Sequence, residues 1–258
     1  MPVFDSQGVE ISYERWGTGD PVILAHGFAA NRRQAWLAAD WQGTLMQAGR
    51  EAILFDQRGH GESQKCYDPE DYAIETMAGD LLRLMDHLDI AKAPVISHSM
   101  GARITLHLML HHSDRLSAAV LIGVGESLLL ERRDPEIMAQ ALLSDEPWAI
   151  EDQAAASFRA FVDSTRSDHK ALAACTHGIG RELEQELLAK VTVPTLVLGA
   201  QHDEFSGPVE PLANAISGAK CATLPRTTHH SILADPAAKD IAFEFLGLPP
   251  PVHYEHSW

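Results

Sequence analysis

A serine, an aspartate and a histidine pair stand at three separate points of the chain, each just beyond an apolar run. Ser99 lies near the end of "PVISHSMG", Asp203 follows "PTLVLGAQH", and His229 and His230 follow "AKCATLPRTT". A serine hydroxyl is a weak nucleophile at neutral pH. It needs a histidine to take its proton, an acid to hold that histidine in one tautomer, and N–H donors for the oxyanion formed on the attacked carbonyl. Singly, a loop aspartate is more often a cap and a loop histidine is usually just solvated. Together, at successive strand ends and in the order Ser, acid, His, they form a set that could carry out acyl transfer. Ser97 is the poorer nucleophile candidate, because the small residue two positions later is Gly101 for Ser99 but a serine for Ser97.

The elements that would hold these groups alternate along the chain. "PVILAHG" (21–27), "EAILFD" (51–56), "APVISHS" (93–99), "AAVLIGV" (118–124) and "PTLVLGA" (194–200) are short apolar runs bounded by turn residues, as strands buried on both faces should be. "AKCATLP" (219–225) is a weaker example. Helical patterns cover about 31–48, 74–88, 100–112, 208–217 and 235–246, the last opening on Asp-Pro as a capped helix does. Residues 3–16 read as an antiparallel pair turning at Gln7-Gly8. This alternation predicts an α/β fold, a mostly parallel twisted sheet with helices on both faces. From 126 to 193 the rhythm breaks into helical stretches alone ("DPEIMAQALL", "PWAIEDQAAASFRAFVDST", "RELEQELLAKV"), the natural lid of a substrate pocket. The expected organisation is a core of 1–125 and 194–248, a helical cap of 126–193, and a Pro-rich tail of 249–258.

Composition narrows the classes of function. The chain has 258 residues, 45% of them hydrophobic and 22% charged, which is ordinary globular composition. Its formal charge of −16 argues against nucleic acid, whose phosphates are bound by Lys and Arg. No run reaches the roughly 18 apolar residues of a membrane span, and the first residues lack the layout of a signal peptide, so a cytoplasmic protein is expected. Cys66, Cys175 and Cys221 lie far apart and read as reduced thiols. Fourteen histidines could suggest a metal, but "HH" at 111–112 and 229–230 and "HYEH" at 253–256 lack metal-ligand spacing, so neither metal nor cofactor is expected.

Three further stretches add a resemblance. "SHSMG" approximates G-x-S-x-G with Ser97 for the first glycine, "HGF" (26–28) follows the strand "PVILA", and "DQRGHGES" (56–63) follows the next strand. With these the chain resembles an α/β-hydrolase-fold serine hydrolase, esterase-like and with a helical cap, over nearly its whole length apart from the cap and tail. The resemblance implies oxyanion donors on the backbone N–H groups of Phe28 and Met100. It implies a structural turn at Asp56–Ser63. The family's prolines, four residues before the histidine and seven after it, match Pro225 and Pro236 and select His229 over His230. Glu126 is the alternative acid, since some members of the fold carry it after that strand. His98 reads as a pocket wall or packing residue. Trp36, Trp41, Met100, Trp148, Phe158 and Phe161 could line an apolar pocket or simply be core, and Cys175 and His177 form no usable arrangement.

The resemblance implies hydrolysis of a small or medium carboxylic ester through an acyl-enzyme on Ser99. C–C bond hydrolases, lactonases and cofactor-free perhydrolases share the same machinery. Ser99 argues against haloalkane or epoxide opening, which would need an aspartate there. A ligand-binding or signalling protein with vestigial catalysis is the alternative of another class. The sequence leaves the substrate and the oligomeric state open.

Overall fold

A computed structural model describes residues 1–130, 134–179 and 185–252. The start of the predicted "RELEQELLAKV" helix and the "HYEH" histidines lie outside the described residues. Eight strands form one sheet: β1 (Val3–Ser6), β2 (Val9–Trp16), β3 (Asp20–Ala25), β4 (Arg50–Phe55), β5 (Ala93–His98), β6 (Leu116–Ile122), β7 (Thr195–His202) and β8 (Lys220–Thr228). Their spatial order is β1-β2-β4-β3-β5-β6-β7-β8. β1 and β2 run antiparallel to their neighbours and every other pair is parallel. The hairpin between β1 and β2 turns on Gln7 and Gly8, both at positive φ, as a two-residue turn matched to strand twist requires.

The parallel strands bury both faces. Ile23, Ala25, Ile53, Phe55 and Val95 point to one side, where α2 (Ile74–His87), α3 (Met100–His111) and α8 (Glu210–Ala215) pack. Val22, Leu24, Ala52, Leu54 and Ile96 point to the other, against α1 (Trp41–Gln47) and α9 (Pro236–Phe245). α9 starts where the Asp-Pro pair predicts, with the Asp235 carboxylate accepting from Ala237 N at 2.9 Å.

The helix predicted over 31–48 is instead two pieces, a π-helical turn at Arg33–Leu37 and then α1, separated by Asp40 at φ 53°. Trp36 and Trp41 account for the break. Five residues apart on a regular α-helix, they would point roughly 140° away from each other. Both are fully buried in the same core, ring against ring at 5.7 Å, so the backbone widens and turns between them.

Between β6 and β7 the described residues form helices and turns without a strand: α4 (Pro135–Leu143), α5 (Gln153–Thr165), α6 (His169–Gly178) and α7 (Gln185–Leu188). Asp134, Asp152 and Asp168 cap the first three through main-chain N–H groups. Ala139, Leu142, Val162, Leu172 and Ala173 of this insertion pack on Ala29, just beyond β3.

Candidate active site

The order of strands reverses direction at β3, so the loops after β3 and β5 diverge and leave a crevice at their carboxyl ends. Ser99 sits there, between β5 and α3, at φ 52° and ψ −114°. Non-glycine residues seldom hold such a conformation, and it persists only where the surroundings enforce it. Two contacts do so: Ser99 N donates to Ile122 O at 2.8 Å, and Ser99 O accepts from Arg103 N at 3.1 Å. Gly101 lets α3 pass close over β3, since a Cβ there would meet the main-chain carbonyls of Ala25 and His26. Ser97 is fully buried within β5, with its hydroxyl 3.3 Å from Val120 O.

The structure brings Ser99, His229 and Asp203 together. His229 Nε2 is 2.9 Å from Ser99 Oγ, and His229 Nδ1 is 2.8 Å from Asp203 Oδ2. A carboxylate only accepts, so the Nδ1 proton faces Asp203 and the Nε2 lone pair faces the serine hydroxyl. The Asp203 side chain is 1% exposed. Oδ1 accepts from Phe205 N at 2.9 Å and Ser206 N at 3.0 Å, and Oδ2 also accepts from Ser206 Oγ at 2.5 Å. Burial works against the charge, but the bonds from His229, Ser206 and Phe205 outweigh it and hold the carboxyl well below its ordinary range. The Asp203 loop is fixed from behind by main-chain bonds to the turn after β6: Glu126 N to Pro208 O at 2.8 Å and Ser127 N to Ser206 O at 3.0 Å. The carboxylate bonded to His229 is therefore Asp203's, while Glu126 braces the loop through its backbone.

His98 lies beneath His229, its ring 4.8 Å away, and its Nε2–H donates to His229 O at 2.8 Å. Burial, followed by the nearby His229, holds the His98 pKa well below the ordinary histidine value and keeps the ring neutral. His230 stacks on Phe161 of α5 at 4.6 Å, and Phe205 sits edge-on to the His229 ring at 5.1 Å.

Phe28 follows β3 and Met100 opens α3, where the first N–H groups of a helix have no acceptor one turn back. The loop carrying Phe28 is tied to the turn after β4. Asp56 accepts from Arg32 N at 2.7 Å, from Glu62 N at 2.8 Å and from the Arg32 guanidinium, and Gln57 N donates to His26 Nε2 at 3.0 Å. Arg58 forks onto Asp80 with two 2.7 Å bonds. Desolvation pushes the pKa of fully buried His26 down to about 4 and that of His60 down to about 3.

A cleft of about 960 Å³ opens above Ser99 and His229, walled by Phe28, Met100, Phe158 and Phe205 with Arg103 and Gln153 among its polar residues. Of the aromatic pocket candidates, Phe158 reaches it, stacked on Phe28 at 5.4 Å. Trp36 and Trp41 are core instead, and Trp148 is 80% exposed. Cys175 is buried with its sulfur 3.8 Å from that of Met100, and His177 pairs with Glu136 across the insertion. The sequence reading missed Ser206. Asp-Glu-Phe-Ser reads as an ordinary turn, and only the fold shows that its hydroxyl turns back onto the carboxylate. Among the described residues no group of three His, Cys, Asp or Glu could hold a metal ion, and no helix is long and apolar enough to cross a membrane.

An eight-stranded sheet of this order, with a serine on the turn after β5, is the architecture of the alpha/beta hydrolases. The chain belongs to that family, whose sequence pattern, described as alpha/beta hydrolase fold, matches residues 20–179. Over 125 residues it is 37% identical to the non-heme chloroperoxidase CPO-A1 of Kitasatospora aureofaciens, a stretch covering 48% of this chain and 44% of that protein. The chain spans about half the length of this and two other curated relatives. In structure it is similar to an enol-lactonase from Burkholderia xenovorans LB400, with a TM-score of 0.74 and 25% identity over 95% of this chain and 100% of that one. A thermophilic esterase from Thermogutta terrifontis gives a TM-score of 0.70 and 25% identity over 95% and 96% of the two chains.

Proposed function

We propose that the protein is a serine hydrolase that cleaves a small or medium carboxylic ester through an acyl-enzyme on Ser99. The observation that carries this reading is the continuous contact from Ser99 Oγ through both nitrogens of His229 to Asp203, at 2.9 and 2.8 Å. Ser99 Oγ attacks the ester carbonyl as His229 Nε2 takes its proton, and Asp203 stabilises the imidazolium. The N–H groups of Phe28 and Met100 hold the oxyanion. The tetrahedral intermediate collapses, His229 returns the proton to the departing alkoxide, and water activated by His229 then releases the acid. In this reading 126–193 form a cap over a core of 1–125 and 194–248, with 249–258 as a tail, and no cofactor takes part.

Lactone opening is the second reading, supported by the likeness to the enol-lactonase. A lactone is a cyclic ester, and the same groups would act on it with the leaving alkoxide still tethered. Pre-steady-state release of p-nitrophenol from acetate, butyrate and octanoate esters tests the main reading. A burst or turnover that drops at least about 10³-fold in Ser99→Ala is the expected outcome. Equal release by the two proteins would overturn it. Slow turnover with tight saturable binding would favour a binding protein in hydrolase form.

A further inference from the structure

Asp203 Oδ2 receives two hydrogens, one from His229 Nδ1 and one from the Ser206 hydroxyl. The Ser206 side chain is otherwise an unremarked member of a turn. We propose that Ser206 is a positioning residue that sets the basicity of His229, by drawing charge from the carboxylate oxygen that His229 also uses.

Three observations carry this. The first is distance. Ser206 Oγ is 2.5 Å from Asp203 Oδ2 and 3.4 Å from His229 Nδ1. A hydroxyl has one proton, and a carboxylate can only accept, so that proton goes to Oδ2. The longer contact lies beyond the usual 2.7–3.2 Å of an N–H···O bond. The second is burial. Ser206 is 2% exposed, so its bond competes little with water and acts on a carboxylate in a low-dielectric setting. The third is that the hydroxyl is not needed to hold the loop. The Ser206 main chain already donates to Asp203 Oδ1 and accepts from Ser127 N, and both bonds survive loss of Oγ.

The sign follows from the shared oxygen. Without the serine proton, Oδ2 carries more charge and pulls harder on Nδ1–H. The imidazolium is then favoured, and a larger share of His229 is protonated at low pH, where it cannot act as a base. Other titratable or charged groups face the pair: His98 below it, His230 and Glu204 beside it, Arg103 across the cleft, and Glu126 behind the Asp203 loop. A change at Ser206 alters none of these, so the comparison isolates the hydroxyl.

The experiment pairs two readouts on the wild type, Ser206→Ala, Ser206→Thr and Ser206→Cys. One is the pH profile of kcat/KM with p-nitrophenyl butyrate, which rests on the hydrolase reading. The other is the titration midpoint of His229, read by NMR of histidine-labelled protein, which needs no turnover. In Ser206→Ala the acid limb and the NMR midpoint are both expected to rise by about 0.5–1 pH unit, so that kcat/KM falls most at the acid end. Ser206→Thr keeps the hydroxyl and is expected to return both to wild type. Ser206→Cys, a weaker donor of similar size, is expected in between and serves as the test if the alanine variant does not fold. A uniform loss of activity with an unmoved midpoint would reduce Ser206 to a structural part and overturn the proposal. A midpoint that falls would mean that the hydroxyl accepts from His229, and would overturn it equally. If the wild type turns over no ester, the hydrolase reading fails, while the NMR midpoint still decides this one.

Discussion

The turn after β5 and the helical insertion face each other across one cleft, yet they are built on different terms. At the turn, backbone meets backbone. Ser99 holds a positive φ, a Cβ on Gly101 would strike the carbonyls of β3, and the loop after β3 is tied to Asp56 and Gln57. In the insertion, helices begin on aspartate caps and expose Ile137, Leu143 and Trp148. Main-chain contact is kept at its two ends, at Glu126 and Ser127 and where Gly178 passes Pro69, and the part over the cleft meets the core through side chains such as Phe158 on Phe28 and Phe161 on His230. A backbone contact tolerates no added volume, whereas a ring can be trimmed or replaced. In the proposed reading, the reacting groups therefore sit where geometry is enforced by the main chain, and the walls offered to a substrate are the replaceable ones.

Three changes sharpen or break that contrast. Gly101→Ala carries the largest expected effect on activity. Strand and helix must separate, so stability is expected to fall by about 2–3 kcal/mol and kcat for ester hydrolysis by about 100-fold, the cost of roughly 1 Å of misplacement. Urea denaturation and ester kinetics measure both. Retained activity would show that the crossing is looser than its contacts imply.

Acid comes next. His26 and His60 are buried neutral, with pKa values of about 4 and about 3 against roughly 6.5 in the unfolded chain. The unfolded chain takes up their protons first. Stability is therefore full above about pH 6.5 and declines as pH falls toward 4, where each ring contributes a loss on the order of 3 kcal/mol. Urea midpoints at steps between pH 7 and pH 4 measure this, and a flat series would contradict it. Both rings lie under the Phe28 loop, so acid is expected to loosen the core edge rather than the insertion.

Phe158→Ala, on the insertion side, carries the smallest effect. A roughly 3–10-fold change in KM and a shift toward longer acyl chains are expected, with kcat changed less. The acetate, butyrate and octanoate series reads it. A collapse of kcat instead would make the insertion part of the chemistry rather than its wall.

The same contrast explains what was legible in the chain. Buried parallel strands read as apolar runs because both faces are covered, and β3 to β7 lie where those runs predict them. The segment 31–48 misled because residue types do not show that Trp36 and Trp41 share one side of the core, and only their shared burial reveals the widened turn. Ser99, Asp203 and His229 could be picked out by their places at strand ends, since those places follow from topology. Ser206 and the His98 bond to His229 O could not. One depends on which way a turn hydroxyl rotates, and the other on a main-chain acceptor 131 residues away, which no pattern of residue types encodes. Ser97 shows the reverse: a departure from the motif that the strand absorbs without displacing Ser99 from His229.

The two main-chain bonds that join Glu126 and Ser127 to Pro208 and Ser206 have a consequence for recombination among such proteins. They lie at the root of the insertion, but their partners are in the loop that carries Asp203. A chimera that imports a foreign insertion after Leu129 inherits this brace intact. One joined before Gly125 exchanges the brace along with the helices, and the recipient's aspartate loop loses its anchor. The seam for exchanging insertions between relatives therefore falls seven residues past the end of β6 at Ile122, because the first turn belongs, by its bonds, to the other side.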